Sequence, residues 1–251
     1  MDFDLTPRVI ELRDRVREFI DSQILPVELE AMRALDKEVR PGANVAYPAV
    51  IRDLRERAKA DGLWNLFLPD DRFGPGLTNW EYGVLCEEMG RSPAIAPMAF
   101  NCAAPDTGNM EILAEHGTPE QQERWLSPLL DGETRSCFSM TEPEVSGSDP
   151  TTLQTQAVLE GDEWVVNGHK WFTSGAVGAA LAIAMVVTDP DAHPYARASM
   201  IIVPTDNPGF NLIRAVPVLG HDGGPGHCEI RYEDCRAPAA NLLGPRQAGF
   251  V

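Results

Sequence analysis

An α+β fold, helices first and strands second, is what this chain of 251 residues predicts. One change of rhythm and two absences support it. Up to about Gly132, apolar residues recur at helical spacing between capping signals; beyond it they alternate as strands do. No repeated strand–helix–strand pattern follows, so a parallel sheet is not expected. Neither a G-x-G-x-x-G nor a P-loop motif occurs, which leaves dinucleotide-fold and kinase readings without support.

The elements follow in order. Thr6-Pro7 is an N-cap with proline in the first turn, and Val9, Leu12, Val16, Phe19 and Ile20 continue a helix. A second helix is predicted over 48–60, stopped by Asp61-Gly62, and a third from Thr78-Asn79 to Met89, stopped by Gly90 and Pro93. Asp106 opens a fourth to His116 with Gly117 as its stop. Thr118-Pro119-Glu120-Gln121 combines a capping box with an early proline and opens a short helix through Trp125 and Leu126. Strands are predicted over 134–141, 153–159 and 163–166, the last two joined by a hairpin at Gly161-Asp162. Others are predicted over 169–174, 181–187, 199–203 and 228–232, punctuated by Asp189-Pro190, Asp206-Asn207-Pro208-Gly209 and Asp222-Gly223-Gly224-Pro225-Gly226. This divides the chain into a helical part over 1–132 and a strand-rich part over 133–244.

Composition narrows the function classes. A hydrophobic fraction of 43% with 24% charged residues is that of a globular protein. A formal charge of -17 argues against nucleic acid or an anionic membrane as partner, since both need a basic footprint. Cys86, Cys102, Cys137, Cys228 and Cys235 form no C-x-x-C pair, so buried free thiols in a reducing compartment are expected. The acidic N-terminus carries no apolar leader, and the most apolar stretch, 176–187, is too short to span a bilayer. A cytoplasmic location with no membrane span is the expectation.

Two segments carry chemistry. Cys137-Phe138-Ser139-Met140-Thr141-Glu142-Pro143, followed by Gly147-Ser148-Asp149, offers hydroxyls and turn backbone suited to phosphate oxygens. Asn167-Gly168-His169-Lys170-Trp171-Phe172-Thr173-Ser174-Gly175 sets an aromatic plane two residues from a hydroxyl, and the two-residue period of a strand puts Trp171 and Thr173 on one face. A flavin needs donors for its pyrophosphate, polar contacts at its ring edge and an apolar wall. Taken singly, each segment also fits a turn or a half-buried aromatic strand. His221, His227 and Cys228 match no zinc spacing and read as loop residues, so no metal site is predicted. His169 reads as solvated or hydrogen-bonded, Trp64, Trp80 and Trp125 as packing, and Arg52-Asp53-Leu54-Arg55-Glu56-Arg57 as a solvated helix face.

As a set, Phe138-Ser139-Met140-Thr141-Glu142-Pro143, Gly147-Ser148-Asp149 and Asn167-Gly168-x-Lys170-Trp171-x-Thr173-x-Gly175 resemble the acyl-CoA dehydrogenase family. The resemblance covers the whole chain, including Ile230-Arg231-Tyr232-Glu233-Asp234-Cys235-Arg236-Ala237-Pro238. The stretch 101–110 and the insertion Glu144-Val145-Ser146 resemble the branch related to phosphotransferase-fused members. The resemblance implies FAD as cofactor, held by Phe138, Met140, Thr141, Gly147, Ser148, Trp171 and Thr173, with Ser148 also near the acyl-CoA substrate. It implies α,β-dehydrogenation of the thioester, an electron-transfer flavoprotein or other acceptor as partner, and a homo-oligomer for the full-length protein. It implies that 133–244 is an antiparallel β-barrel-like domain and that 245–251 is the start of a C-terminal helical bundle absent from the chain. The family's catalytic glutamate falls beyond the point matching Val251, so no catalytic residue is assigned here and Glu142 is read as part of a turn. The isolated chain is expected to be inactive. A non-catalytic subunit needing a complete paralogue is the alternative.

Overall fold

The computed structural model describes residues 4–41, 47–220 and 223–250. By contacts the chain falls into two compact units. Of the described residues, one unit comprises 4–38 and 47–107; the other comprises those from 108 onward and the short stretch 39–41.

In the first unit, α1 (Pro7–Phe19) starts where the Thr6 hydroxyl accepts the Val9 N–H at 3.3 Å, and it buries Val9, Val16 and Phe19. The helix loosens into a π turn at Ile20–Ile24, where the Ser22 hydroxyl donates to Glu18 O at 2.7 Å. Pro26, which has no N–H to continue the ladder, then sits in a 3-10 turn before α2 (Glu28–Glu38) resumes. The sequence reading does not separate α2, because its apolar face is divided: Ala31 and Leu35 are buried, whereas Leu29 and Met32 are exposed. α3 (Ala49–Ala60) and α4 (Asn79–Met89) lie close to their predicted positions, and the capping box at Thr78 and Glu81 is formed. α5 (Ala96–Ala99) is a single further turn. Arg17 on α1 donates to Glu88 on α4 at 3.1 and 2.5 Å, and this hydrogen bond holds the Glu88 carboxyl below its ordinary pKa.

α6 (Asp106–His116) begins at the boundary between the units. α7 (Pro119–Gln121), a π turn over Gln122–Leu126 and α8 (Ser127–Leu130) follow, starting from the capping box predicted at Thr118. Gln121 donates to Ala240 O and Leu242 O at 2.8 and 2.9 Å, and buried Asn109 donates to the Ser136 hydroxyl at 2.9 Å. These helices are thereby fastened to the sheet.

The sheet contains β1 (Ser136–Ser139), β2 (Gln156–Glu160), β3 (Glu163–Ser174), β4 (Leu181–Val187), β5 (Ala198–Pro204), β6 (Phe210–Ala215), β7 (His227–Pro238) and β8 (Leu242–Leu243). Its order is β6-β7-β3-β2-β4-β5-β8, with β1 also on β4. Among the described residues β6 and β8 are not paired, so the barrel-like sheet does not close. Pairing is mostly antiparallel, but β1 and β2 both run parallel to β4. Every residue of β4 is buried, as an all-apolar run in the middle of a covered sheet requires. The two strands predicted over 163–166 and 169–174 are one long β3, carried through Gly168 by a shift of register. β6 and β8 were not predicted; β6 keeps only Phe210 fully buried, which erases the alternation. Residues 245–250 pass through turns.

Several surface and core assignments change. Trp80 is 49% exposed rather than packed, because it stands at the start of α4. Arg55 does not belong to a solvated face. It is 4% exposed, donates to Met98 O at 2.7 Å and Asn101 Oδ1 at 3.1 Å, and lies over the Tyr47 and Trp64 rings at 4.2 and 4.8 Å. Four of the cysteines are buried, but Cys86 is exposed. His227 bonds the Ser174 hydroxyl at 2.7 Å and Cys228 is buried; His221 lies outside the described residues. No cluster able to hold a metal ion occurs among the described residues, and no helix of theirs is long and apolar enough to cross a membrane.

Candidate functional site

β4 is paired along its whole length by β5, so β1 and β2 must share its other edge. β1 leaves that edge with Ser139 opposite Ala184, and β2 enters it with Gln156 opposite Val187. The segment 140–155 is therefore an excursion whose two ends are held close together on one strand. It carries Met140, Thr141, Gly147 and Ser148.

The neck of this loop is closed by Glu142. Its carboxylate accepts Gln154 N at 2.7 Å, Thr155 N at 2.8 Å and Lys170 Nζ at 2.9 Å. Lys170, wholly buried on β3, also donates to Met140 O at 2.7 Å. Trp171 N donates to Thr141 O at 3.0 Å. Met140, Thr141 and Glu142 are thus each tied to Lys170 or Trp171. Burial alone would raise the pKa of Glu142, but the Lys170 charge and the donors around it hold the carboxyl below its ordinary range. Burial pushes Lys170 down to about 8 against the opposing pull of Glu142.

Farther along the loop, a Cβ added at Gly147 would stand 2.9 Å from Thr141 Cγ2, so this glycine permits a close backbone approach to Thr141. The Ser146 and Ser148 hydroxyls lie 3.2 Å apart and are exposed, and Asp149 caps a 3-10 turn over Pro150–Thr152. Phe138 and Met140 are half-buried against Leu153, Met185, Val187 and Ala198. The structure therefore brings together an apolar floor, a half-buried Thr141, an open glycine–serine turn and the half-buried Trp171 ring. These are the kinds of group a flavin requires: a ring wall, a polar edge and donors for phosphate. The backbone space that Gly147 leaves beside Thr141 fits that reading.

Thr173 is placed differently from the regular alternation. The β3–β7 register shifts between Lys170 and Thr173, and Phe172 takes a positive φ of 47°. Lys170 and Thr173 are both buried, while Trp171 is half-buried and Phe172 is 41% exposed. The Trp171 and Phe172 ring centroids stand 4.9 Å apart. A bulge sets two residues against one and interrupts the two-residue period. The inference that Trp171 and Thr173 share a face through that period is thereby corrected. The Thr173 hydroxyl is instead within 3.2 Å of Ser139 Oγ on β1.

Sequence reasoning missed the Glu142–Lys170 pair, because a turn glutamate and a strand lysine 28 positions apart carry no local sign of contact. His169 is hydrogen-bonded as expected, with Nδ1 at 2.7 Å from Glu144 and Nε2 at 3.0 Å from Glu229. A cleft of about 320 Å³ opens beside the neck, lined by Glu142, Thr155, Gly168, His169 and Tyr232 among others.

Family models for the acyl-CoA dehydrogenase N-terminal domain and middle domain match residues 6–133 and 137–235. The chain is 45% identical to the probable acyl-CoA dehydrogenase FadE2 of Mycobacterium tuberculosis, over all of this chain and 61% of that protein. It is 46% identical to mouse acyl-CoA dehydrogenase family member 10, over 96% of this chain and 23% of that protein. A solved structure described as a putative acyl-CoA dehydrogenase from Mycobacterium abscessus superposes with a TM-score of 0.90 at 44% identity, covering 98% of this chain and 62% of the other. The chain thus spans about three fifths or less of the length of these relatives. With both domain models matched in order and the predicted helix-then-sheet architecture present, the chain belongs to the acyl-CoA dehydrogenase family.

Proposed function

We propose that the protein takes part in FAD-dependent α,β-dehydrogenation of an acyl-CoA thioester, and that this chain supplies the cofactor-holding side of the site. The observation that carries the reading is the junction of Thr141, Gly147 and Trp171 over the half-buried Phe138 and Met140. Thr141 would meet the polar edge of the flavin ring, Trp171 its apolar side, and Gly147 and Ser148 the pyrophosphate. Ser148, exposed at the loop tip, would also face the substrate. Thr173 would act through its hydroxyl from beside Ser139. When bound, FAD supplies the acceptor for the hydride leaving Cβ.

Removal of the Cα proton requires a base with free lone pairs and access to the substrate. Glu142 fails on both counts, being buried and engaged by three donors. The base is assigned to the part of the relatives' length that this chain does not span. An electron-transfer flavoprotein or another acceptor would reoxidise the flavin, and the full-length protein would assemble with further copies of itself.

The test is anaerobic titration of the FAD-reconstituted full-length protein with acyl-CoAs of graded chain length, followed by the visible absorbance of the oxidised flavin. Bleaching with at least one acyl-CoA is expected. Absence of flavin binding overturns the reading. Flavin binding without bleaching by any acyl-CoA favours a non-catalytic subunit. The 251-residue chain alone is expected to show no acyl-CoA-dependent reduction.

A further inference from the structure

The Glu142–Lys170 pair is buried, is not part of the seven-residue flavin constellation, and sits at the neck where the two limbs of the 140–155 loop meet. Burying two charges is costly, and an apolar pair of similar volume often serves stability as well. A buried pair retained here therefore invites a role beyond packing. Its bonds suggest which. Lys170 Nζ reaches Met140 O, on one side of Thr141, and the Glu142 carboxylate, on the other. The same carboxylate takes the two amides of Gln154 and Thr155 on the returning limb. Thr155 O in turn accepts Val187 N at 2.8 Å, which carries the attachment into β4. Thr141 thus lies between two anchored neighbours, and its own carbonyl is held by Trp171 N.

We propose that the Glu142–Lys170 ion pair is a positioning clasp that fixes the backbone of residues 140–142, and with it the Thr141 and Trp171 contacts, in the geometry that receives the flavin ring. The proposal rests on the flavin reading given above. Neither side chain is assigned a contact with the cofactor. Each acts through the backbone: Lys170 by orienting the Met140 carbonyl, Glu142 by closing the neck. A hydrogen bond made to a charged group holds its partner more narrowly than a neutral one does, which suits a backbone segment that must present a hydroxyl at a set position. Burial lowers the Lys170 pKa, and the Glu142 carboxylate at 2.9 Å opposes that shift and favours the charged ammonium.

The experiment compares Glu142→Gln, Lys170→Met and Lys170→Arg with the wild type in the full-length protein, stripped of FAD and held well below each variant's melting temperature. FAD affinity is measured by quenching of flavin fluorescence, and the visible circular dichroism of the bound flavin reports its seating. Trp164→Phe, at the far end of β3, serves as a destabilised control because it alters a buried ring that bonds Ala239 O. The expected result is a loss of about tenfold in FAD affinity for Glu142→Gln and Lys170→Met, the size of one lost ordering contact. An altered dichroism band should accompany it. Lys170→Arg should recover part of both, and Trp164→Phe should change neither. Lowered melting temperatures with wild-type affinity and dichroism would overturn the proposal and leave the pair a purely structural one. If Lys170→Met fails to fold, the isosteric Glu142→Gln decides the matter. If the wild type itself binds no FAD, the flavin reading falls and takes this proposal with it; a wild type that binds FAD while the variants bind equally well removes the clasp alone.

Discussion

Charge buried without partners is expensive, and the residues that matter most here are buried charged groups held by several partners. Glu142 has a folded pKa below its usual 4.5, so the unfolded chain binds its proton more readily. Its contribution to stability is present above that unfolded value and is lost as pH falls through the folded one. A drop in melting temperature below about pH 4.5 is expected, and Glu142→Gln should shrink it. A thermal denaturation series from pH 7 to 3 checks this; an undiminished acid limb in the variant would assign the loss to other carboxylates. Lys170 acts with the opposite charge but the same sign of slope. Its folded value of about 8 lies below 10.5, so the fold gains stability from this group as pH rises between them. Arg55 offers a second residue-scale prediction. Its planar guanidinium bonds Met98 O and Asn101 Oδ1 while lying over two aromatic rings, an arrangement an ammonium cannot reproduce. Arg55→Lys should cost roughly 2–3 kcal/mol in a urea melt, the scale of hydrogen bonds lost from a buried charged group.

Elements are held by their ends and by close approaches between backbones. The capping box of α4 satisfies two donors at once, with the Thr78 hydroxyl accepting Glu81 N at 3.3 Å and the Glu81 carboxylate accepting Thr78 N at 2.9 Å. Thr78→Ala should lower stability by about 1 kcal/mol, measured by chemical denaturation, with no effect on flavin affinity. Gly168 is a stronger constraint. A Cβ there would lie 2.3 Å from Thr155 Oγ1 and 2.6 Å from Thr155 Cβ, and Thr155 N is one of the donors that close the loop on Glu142. Gly168→Ala should therefore cost roughly 1–3 kcal/mol through overpacking and weaken flavin retention together. A melt paired with a flavin-binding assay distinguishes that outcome from loss of stability alone. The capping box at Thr118 was legible in the sequence because it depends on residues three apart, whereas at Thr78 only the helix start was read and the box with Glu81 is the structure's addition. The bulge at Trp171 and Phe172 was not, since it is set by the pairing of β3 with β7 and leaves the local pattern looking regular.

At the scale of the molecule, the formal charge of -17 sets a diffuse repulsion that no single pair relieves. Moderate salt shortens the screening length to about 8 Å at 0.15 M, so the melting temperature should rise between low and physiological ionic strength. Differential scanning calorimetry across that range tests it, and a fall would mean that attractive pairs such as Arg17–Glu88 outweigh the repulsion. Helices before strands, the family motifs and the place where the period changes are properties of the order of residues, because caps, turns and side-chain periodicity act over a few positions. Contacts between distant positions had to wait for tertiary structure. β1 and β2 share an edge of β4, the sheet stays open, Arg55 is a core residue, and Glu142 meets Lys170 across 28 positions. The motif around Thr141-Glu142 carries the family resemblance in its letters, but the lysine that meets Glu142 stands on another strand. Local order encodes local conformation; long-range partners are chosen only when the chain has folded and the cost of burying each charge is met by the group that packs against it.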